Sequence, residues 1–430
     1  MITELRLRDF KNFQDATLRL GPFTVLVGAN ASGKSNIRDA FRFLHGVGRG
    51  YSFADIIGGK YGTGGQLEWT PLRGATNEIV RFGTSGFEID VTFALNNPQA
   101  ELKAPSIANY HLSVRKPDYA ETVFRAVAEE LEVDGRMVYS SHPKGDDLTH
   151  FQGDTTHLAI QLATVEPERR GSVVRALSMQ PALGPITTIP FPEDSIRAWA
   201  LLVRSIFGGM RFLDLVPAQM RKPAFPGQTV LGDSGENLST VLQEICQAPE
   251  RKAILIDWIQ ELAPMDIVDF EFPHDPSGLV HLLLKERSGI AVSAYSASDG
   301  TLRFLALLAA LLGTHPAKLY FFEEIETGIH PSRLRLLLDL IEHQTSNNGV
   351  QVIATTHSPD LLQMINDSTF NHTSVVYRPR DTDHAIIRPV AELPNAAQLR
   401  AEQGLGPLHA SGWMEDVLYF NGSDDQAAAK

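Results

Sequence analysis

The chain has 430 residues, 43% of them hydrophobic and 21% charged, with a net charge of −13 and one cysteine, Cys246. This composition suits two or three packed units, or one large domain with insertions. It excludes a strongly basic nucleic-acid coat, an intrachain disulfide and a cysteine-based metal cluster. No stretch approaches the ~20 apolar residues of a membrane span, and Met1–Arg6 lacks a basic-then-apolar leader pattern. A cytoplasmic protein with no membrane partner is expected.

Alternation predicts strands over Ile2 to Phe10 and Ala16 to Leu20, and the run Phe23-Thr24-Val25-Leu26-Val27 is a third. Gly28-Ala29-Asn30-Ala31-Ser32-Gly33-Lys34-Ser35 follows it, and a helix from Asn36 to Leu44 leaves it. This is the phosphate-loop pattern G-x-x-x-x-G-K-[ST] in its strand–loop–helix setting. Its glycines let backbone N–H groups converge on phosphate oxygens, Lys34 reaches the β and γ phosphates, and Ser35 ligates Mg²⁺. The expected nucleotide-binding set is Asn30, Ala31, Ser32, Gly33, Lys34, Ser35 and Asn36.

Gly46 to Gly74 reads as a glycine-rich surface loop. Phe87 to Phe93, Tyr110 to Arg115 and Val123 to Leu131 read as strands, with Asp134-Gly135 turning into Met137-Val138-Tyr139. His142, His150 and His157, among Asp146, Asp147 and Asp154, match no metal-ligand spacing and read as a solvated loop. From Pro192 helical spacing takes over, at Glu193 to Phe207, Leu238 to Ile245 and Arg251 to Leu262, without the heptads of a coiled-coil arm. Arg204, Arg211 and Arg221-Lys222 could face DNA but read better as scattered surface cations, and Arg378 and Arg380 beside Pro379 are open to the same two readings.

After a strand at Val280 to Leu284, Ser298-Asp299-Gly300 precedes a very apolar helix from Thr301. These residues can be a plain helix cap. They can also be an anion site aimed at a γ-phosphate, which their place just ahead of an acidic strand favours. In that strand Leu319-Tyr320-Phe321-Phe322 runs into Glu323-Glu324. Glu323 is assigned to Mg²⁺ through water and Glu324 to orienting and deprotonating the attacking water, or the reverse. A further strand, Val350 to Thr355, ends in Thr356-His357-Ser358-Pro359. In a parallel sheet its end would point into the same crevice, letting His357 hydrogen-bond the γ-phosphate or the water. The candidate catalytic residues are Lys34, Glu324 and His357, the candidate metal ligands Ser35 and Glu323, and the expected ligands ATP and Mg²⁺.

These pieces in this order resemble the ABC-type ATPase superfamily, and within it the prokaryotic RecF-like and OLD-like (overcoming lysogenization defect) branch. The likeness rests on Phe10-Lys11-Asn12-Phe13, the phosphate loop, Ser298-Asp299-Gly300-Thr301 as a signature, and Glu323-Glu324 with Gly328-Ile329-His330-Pro331. Thr356-His357-Ser358-Pro359 completes it. Glu323 stands where most ABC proteins have Asp, and Gln66 is the candidate for the glutamine loop.

The resemblance implies an α/β fold, an ABC-ATPase-like head with a mixed central sheet, an antiparallel β subdomain and a helical insertion. The expected division is 1–95 and 281–422 for the two parts of the ATPase domain, 96–190 for a β-rich insertion, 191–280 for a helical subdomain and 423–430 for a disordered tail. It further implies an ATP sandwich in a homodimer or higher oligomer, with Ser298, Asp299 and Gly300 closing on a second chain's nucleotide and Lys11 helping to hold it. The expected role is a switch in antiphage defence with a separate effector such as a nuclease. A RecF-like repair clamp that binds DNA is the alternative.

Overall fold

Three apolar runs without polar alternation set the middle of the molecule: Phe23–Val27, Leu319–Phe322 and Gln351–Thr355, every residue of which is buried. Continuous burial is what a strand covered on both faces requires. The computed structural model describes residues 1–96, 105–116, 123–141, 156–164, 171–191, 193–262, 267–379 and 382–418. His142, Asp146, Asp147, His150, Asp154, Pro192, Arg380 and the tail 423–430 lie outside them.

The three strands belong to a six-stranded sheet in the order Met210–Leu213, Leu319–Phe322, Gln351–Thr355, Phe23–Val27, Thr373–Tyr377, Ile386–Pro389. Its first five strands are mutually parallel and the last is antiparallel. Successive side chains point to opposite faces. Leu26, Phe212, Leu319, Phe321 and Ile353 therefore enter one core, and Val25, Leu213, Tyr320, Phe322 and Val352 another.

The first core is shared with the helix Lys34–Arg49 and with an eight-stranded antiparallel sheet. That sheet pairs Ile2–Phe10 with Phe13–Arg19 on one side and with Gly86–Leu95 on the other, then continues through strands as far as Val173–Leu177. Buried Gln351 ties the two sheets. Its Nε2 donates to the carbonyls of Ile2 (2.7 Å) and Gly21 (3.0 Å), and its Oε1 accepts from Ile2 N (3.0 Å). The second core is filled by helices, chiefly Leu238–Gln247, Asp299–Leu312 and Pro331–Asn347.

Three local expectations are corrected. Gly46 to Gly74 is not a surface loop: the first helix runs on to Arg49, and Phe53–Gly58 forms a capped helix that buries Phe53, Ile56 and Ile57. The 191–280 segment is not wholly helical, since Met210–Leu213 supplies an edge strand of the parallel sheet. Nor are two of its arginines loose surface cations: Arg204 donates to Thr187 Oγ1 at 2.7 Å, and Arg221 to Ala297 O at 2.9 Å and Asp299 Oδ1 at 2.7 Å.

Candidate functional site

Parallel strands deliver their C-terminal ends to one edge of a sheet, where ligands of open α/β folds bind. Here that edge holds a cleft of about 560 Å³ lined by the phosphate loop from Asn30 to Asn36 and by Asp214, Arg303, Glu323, Glu324, Thr327, Thr355 and His357. The acidic pair, the loop and the histidine, read from three distant segments, thus share one cavity.

The loop geometry follows from its glycines. Gly28 sits at φ +140° with its α-carbon hard against the neighbouring strand, so that a Cβ would lie 2.1 Å from Val376 O. Gly33, at φ +124°, leads into the helix without a side-chain cap, and the first turn carries no acid. The N–H groups there keep their dipole free for an anion. Asn12 braces the loop: its Oδ1 accepts from Asn36 Nδ2 at 2.7 Å, and its Nδ2 reaches Ser32 O at 3.5 Å. Ser32 Oγ is buried in the loop with no hydrogen-bond partner among the described residues, a donor that a phosphate oxygen would satisfy.

Lys34 folds back onto the loop, donating to Gly28 O at 2.5 Å and Ala29 O at 2.9 Å. Burial lowers its pKa against the pull of Glu324 and Glu415. The ammonium is thus held on neutral carbonyls, with no carboxylate among the described residues hydrogen-bonded to it. Glu323 Oε1 faces two guanidinium groups, Arg73 at 3.3 Å and Arg38 at 3.9 Å. Arg73 also donates to Ser35 O at 3.0 Å and approaches buried Asp39 at 3.4 Å. Glu324 adopts a left-handed φ of +47°, its N–H donating to Thr355 Oγ1 at 2.9 Å. Burial and the Lys34 charge lower the pKa of His357 despite Glu324 and Glu326, so the ring is neutral near pH 7. Glu326 Oε1 anchors the backbone N–H of His357 at 2.8 Å.

Four expected residues lie outside the cleft lining. Lys11 Nζ is bound to Asp39 (2.6 Å) and to Arg73 O (2.7 Å). Ser298 caps the helix Asp299–Leu312, accepting from Thr301 N at 3.2 Å, and Asp299 pairs with Arg221. Gly300 packs against the turn after Glu324, where a Cβ would meet Gly328 O at 2.1 Å. Gln66 does not line the cleft either. Conversely, the sequence assigns no cleft role to Asp214, Arg303 or Thr327, the last of which reads only as part of the turn Glu326 to Pro331. Asp214 follows a strand only four residues long, too short to announce itself by pattern.

The Ser35 hydroxyl and the Glu323 and Glu324 carboxylates are hard oxygen donors along one cavity. That set suits a magnesium ion whose shell is completed by phosphate oxygens and water. Among the described residues no group of three or more His, Cys, Asp or Glu side chains gathers that could hold a metal alone. No helix among them is long and apolar enough to cross a membrane.

A family model described as "AAA domain, putative AbiEii toxin, Type IV TA system" matches residues 23–113 and 268–363. The chain is 21% identical over 403 residues to an ATP/GTP phosphatase of Helicobacter pylori, covering 90% of this chain and 94% of that protein. Over 60 residues it is 40% identical to the DNA replication and repair protein RecF of Edwardsiella ictaluri, a match spanning 14% of this chain and 16% of that one. Among solved structures, an SmcHead bound to the C-winged helix domain of ScpA aligns at a TM-score of 0.48 and 16% identity, over 90% of this chain and 97% of that one.

Proposed function

We propose that this chain is an ABC-type ATPase related to RecF, a reading supported by its family match and relatives, and that two copies of it close on shared ATP, each contributing half of every site. The observation that carries this reading is a separation within one chain. The phosphate loop, the acids and His357 line the cleft, while Ser298, Asp299 and Gly300 lie outside it. A capped helix N-terminus with no phosphate of its own to meet is explained by one supplied from a second chain. Two identical chains that exchange these surfaces about a two-fold axis form a closed assembly.

Within each site Lys34 neutralises the β and γ phosphates, and the loop N–H groups hold them from the other side. Magnesium, carried with the nucleotide near Ser35 and Glu323, offsets phosphate charge when bound. Glu324 takes the proton of the attacking water. Neutral His357 hydrogen-bonds that water or the terminal phosphate. Because Glu323 already faces Arg38 and Arg73, nucleotide loading exchanges guanidinium partners for new ones at this carboxylate.

ATP then acts as the clasp of a dimer and hydrolysis as its release, a switch in a DNA-related process in the cytoplasm. The proposed role is in antiphage defence with a separate effector, such as a nuclease; the description of the matching family model names a toxin–antitoxin system. The stretch shared with RecF favours a second reading, a clamp whose output is ATP-dependent DNA binding. Light scattering of the Glu324→Gln protein tests the shared site: ATP should double its mass, and adding Ser298→Arg should prevent this. An ATP-loaded protein that stays monomeric sinks the proposal. DNA-stimulated turnover without any partner protein selects the clamp over the effector switch.

A further inference from the structure

Arg303 is the sole charged residue between Thr301 and Leu312 in a helix that otherwise buries its side chains in the second core. Its own side chain leaves that pattern and lines the nucleotide cleft, beside the phosphate loop, Glu324 and Thr327. Among the described residues no hydrogen bond or ion pair holds its guanidinium. An exposed arginine without a partner is ordinary. A half-buried one facing a cleft built for polyphosphate is not, because desolvating a cation requires compensating charge or hydrogen bonds.

Room for this side chain is made by Gly328, at φ +78°, where a Cβ would lie 3.2 Å from Arg303 Cδ. Gly328 ends the turn that begins at Glu324 and is closed by Thr327 N donating to Glu324 O at 2.8 Å. The same glycine's carbonyl meets Gly300 at the start of the helix. The helix Asp299–Leu312 therefore presents two groups in two directions. Ser298 is at its tip, and Arg303 lies about 7.5 Å further along the axis, on another face.

We propose that Arg303 is the cation that binds the terminal phosphate of ATP held by its own chain, so that each chain distinguishes ATP from ADP before it meets its partner. The guanidinium fork matches a phosphoryl group with two parallel charge-assisted hydrogen bonds. Once engaged, it ties the helix bearing Ser298 to the nucleotide state of its own cleft. This rests on the reading of the cleft as the ATP site, and it places one γ-phosphate contact within the chain in addition to the one expected across the dimer.

The test uses the full chain carrying Ser298→Arg, which blocks closure, and Glu324→Gln, which blocks turnover. ATP and ADP affinities are measured with magnesium by titration calorimetry. This background should prefer ATP, and adding Arg303→Gln should lower that preference roughly tenfold or more while leaving ADP affinity unchanged. Arg303→Met, which keeps the apolar stem, is read the same way if the Gln variant binds neither nucleotide. Equal weakening of ATP and ADP, an unaltered preference, or loss of ADP binding in both variants overturns the inference. The two readings fail separately. If Glu324→Gln alone never dimerises, the shared site fails while the Arg303 result stands; a preference for ATP seen only in dimers ends the within-chain contact while the shared site stands.

Discussion

Glu324 donates its backbone N–H to the Thr355 hydroxyl at 2.9 Å from a left-handed φ of +47°. A bulky residue held in that conformation costs of order 1 kcal/mol or more and persists only where its surroundings demand it. The Thr355 hydroxyl is one such demand, and it joins the ends of two adjacent parallel strands. Thr355→Val keeps the volume and removes the acceptor. It should lower ATP turnover roughly tenfold with ATP affinity retained, and cost about 1 kcal/mol in a urea melt. Glu324→Gln should reduce turnover at least a hundredfold at unchanged affinity. Steady-state hydrolysis set beside nucleotide titration measures both effects.

Lys11 and Asp39 form an ion pair whose side chains are only 6% and 2% exposed. Removing Lys11 leaves buried Asp39 only the more distant Arg73 guanidinium, at 3.4 Å, and costs about 3 kcal/mol. Lys11→Met should therefore shift the denaturation midpoint strongly while leaving ATP affinity close to that of the parent. A large loss of affinity at unchanged stability would restore Lys11 to the nucleotide.

Because burial and Lys34 lower the pKa of His357, the ring is uncharged at and above its ordinary value near 6.5 and gains a proton only below it. Turnover should stay level from pH 8 down to about 6.5 and fall on the acid side. His357→Asn should be slower throughout and lose the part of the acid limb that belongs to the imidazole. Rate profiles of the two proteins between pH 5 and 8 decide this.

His45 lies in the first core, its Nδ1 donating to Phe207 O at 2.9 Å, and burial pushes its pKa down to about 4. The folded state thus resists a proton that the unfolded chain accepts near 6.5. Its stabilising effect is complete above pH 6.5 and is lost as pH falls from there to about 4, a decline of about 3 kcal/mol. His45→Gln should flatten this part of the stability curve, measured by chemical denaturation at several pH values.

The sequence disclosed most readily those parts of the site that are contiguous and obey a local rule. Asn30 to Asn36 lie on a loop whose glycines and lysine have fixed spacing, and Glu323-Glu324 end a strand too apolar to lie on a surface. Asp214 and Arg303 were hidden for opposite reasons. Asp214 owes its place to a four-residue strand embedded among helices, and Arg303 looks like one polar interruption in a core helix until the turn at Gly328 is folded beside it. Arg73 illustrates a third limit. Its links to Glu323 and Asp39 depend on how Gly46 to Gly74 folds, and that stretch has no periodicity to read.

The strand Phe23–Val27, which aims the phosphate loop, has both neighbours in the last fifth of the chain: Phe23 pairs with Val352 and Val25 with Thr373. A ribosome making this protein exposes that strand long before anything can flank it. Sequence-distant closure of this kind is slow, and the waiting apolar edge invites wrong pairings. Nascent chains should consequently depend on holdase protection until almost the whole polypeptide has emerged, and truncations before Thr373 should be recovered as aggregates.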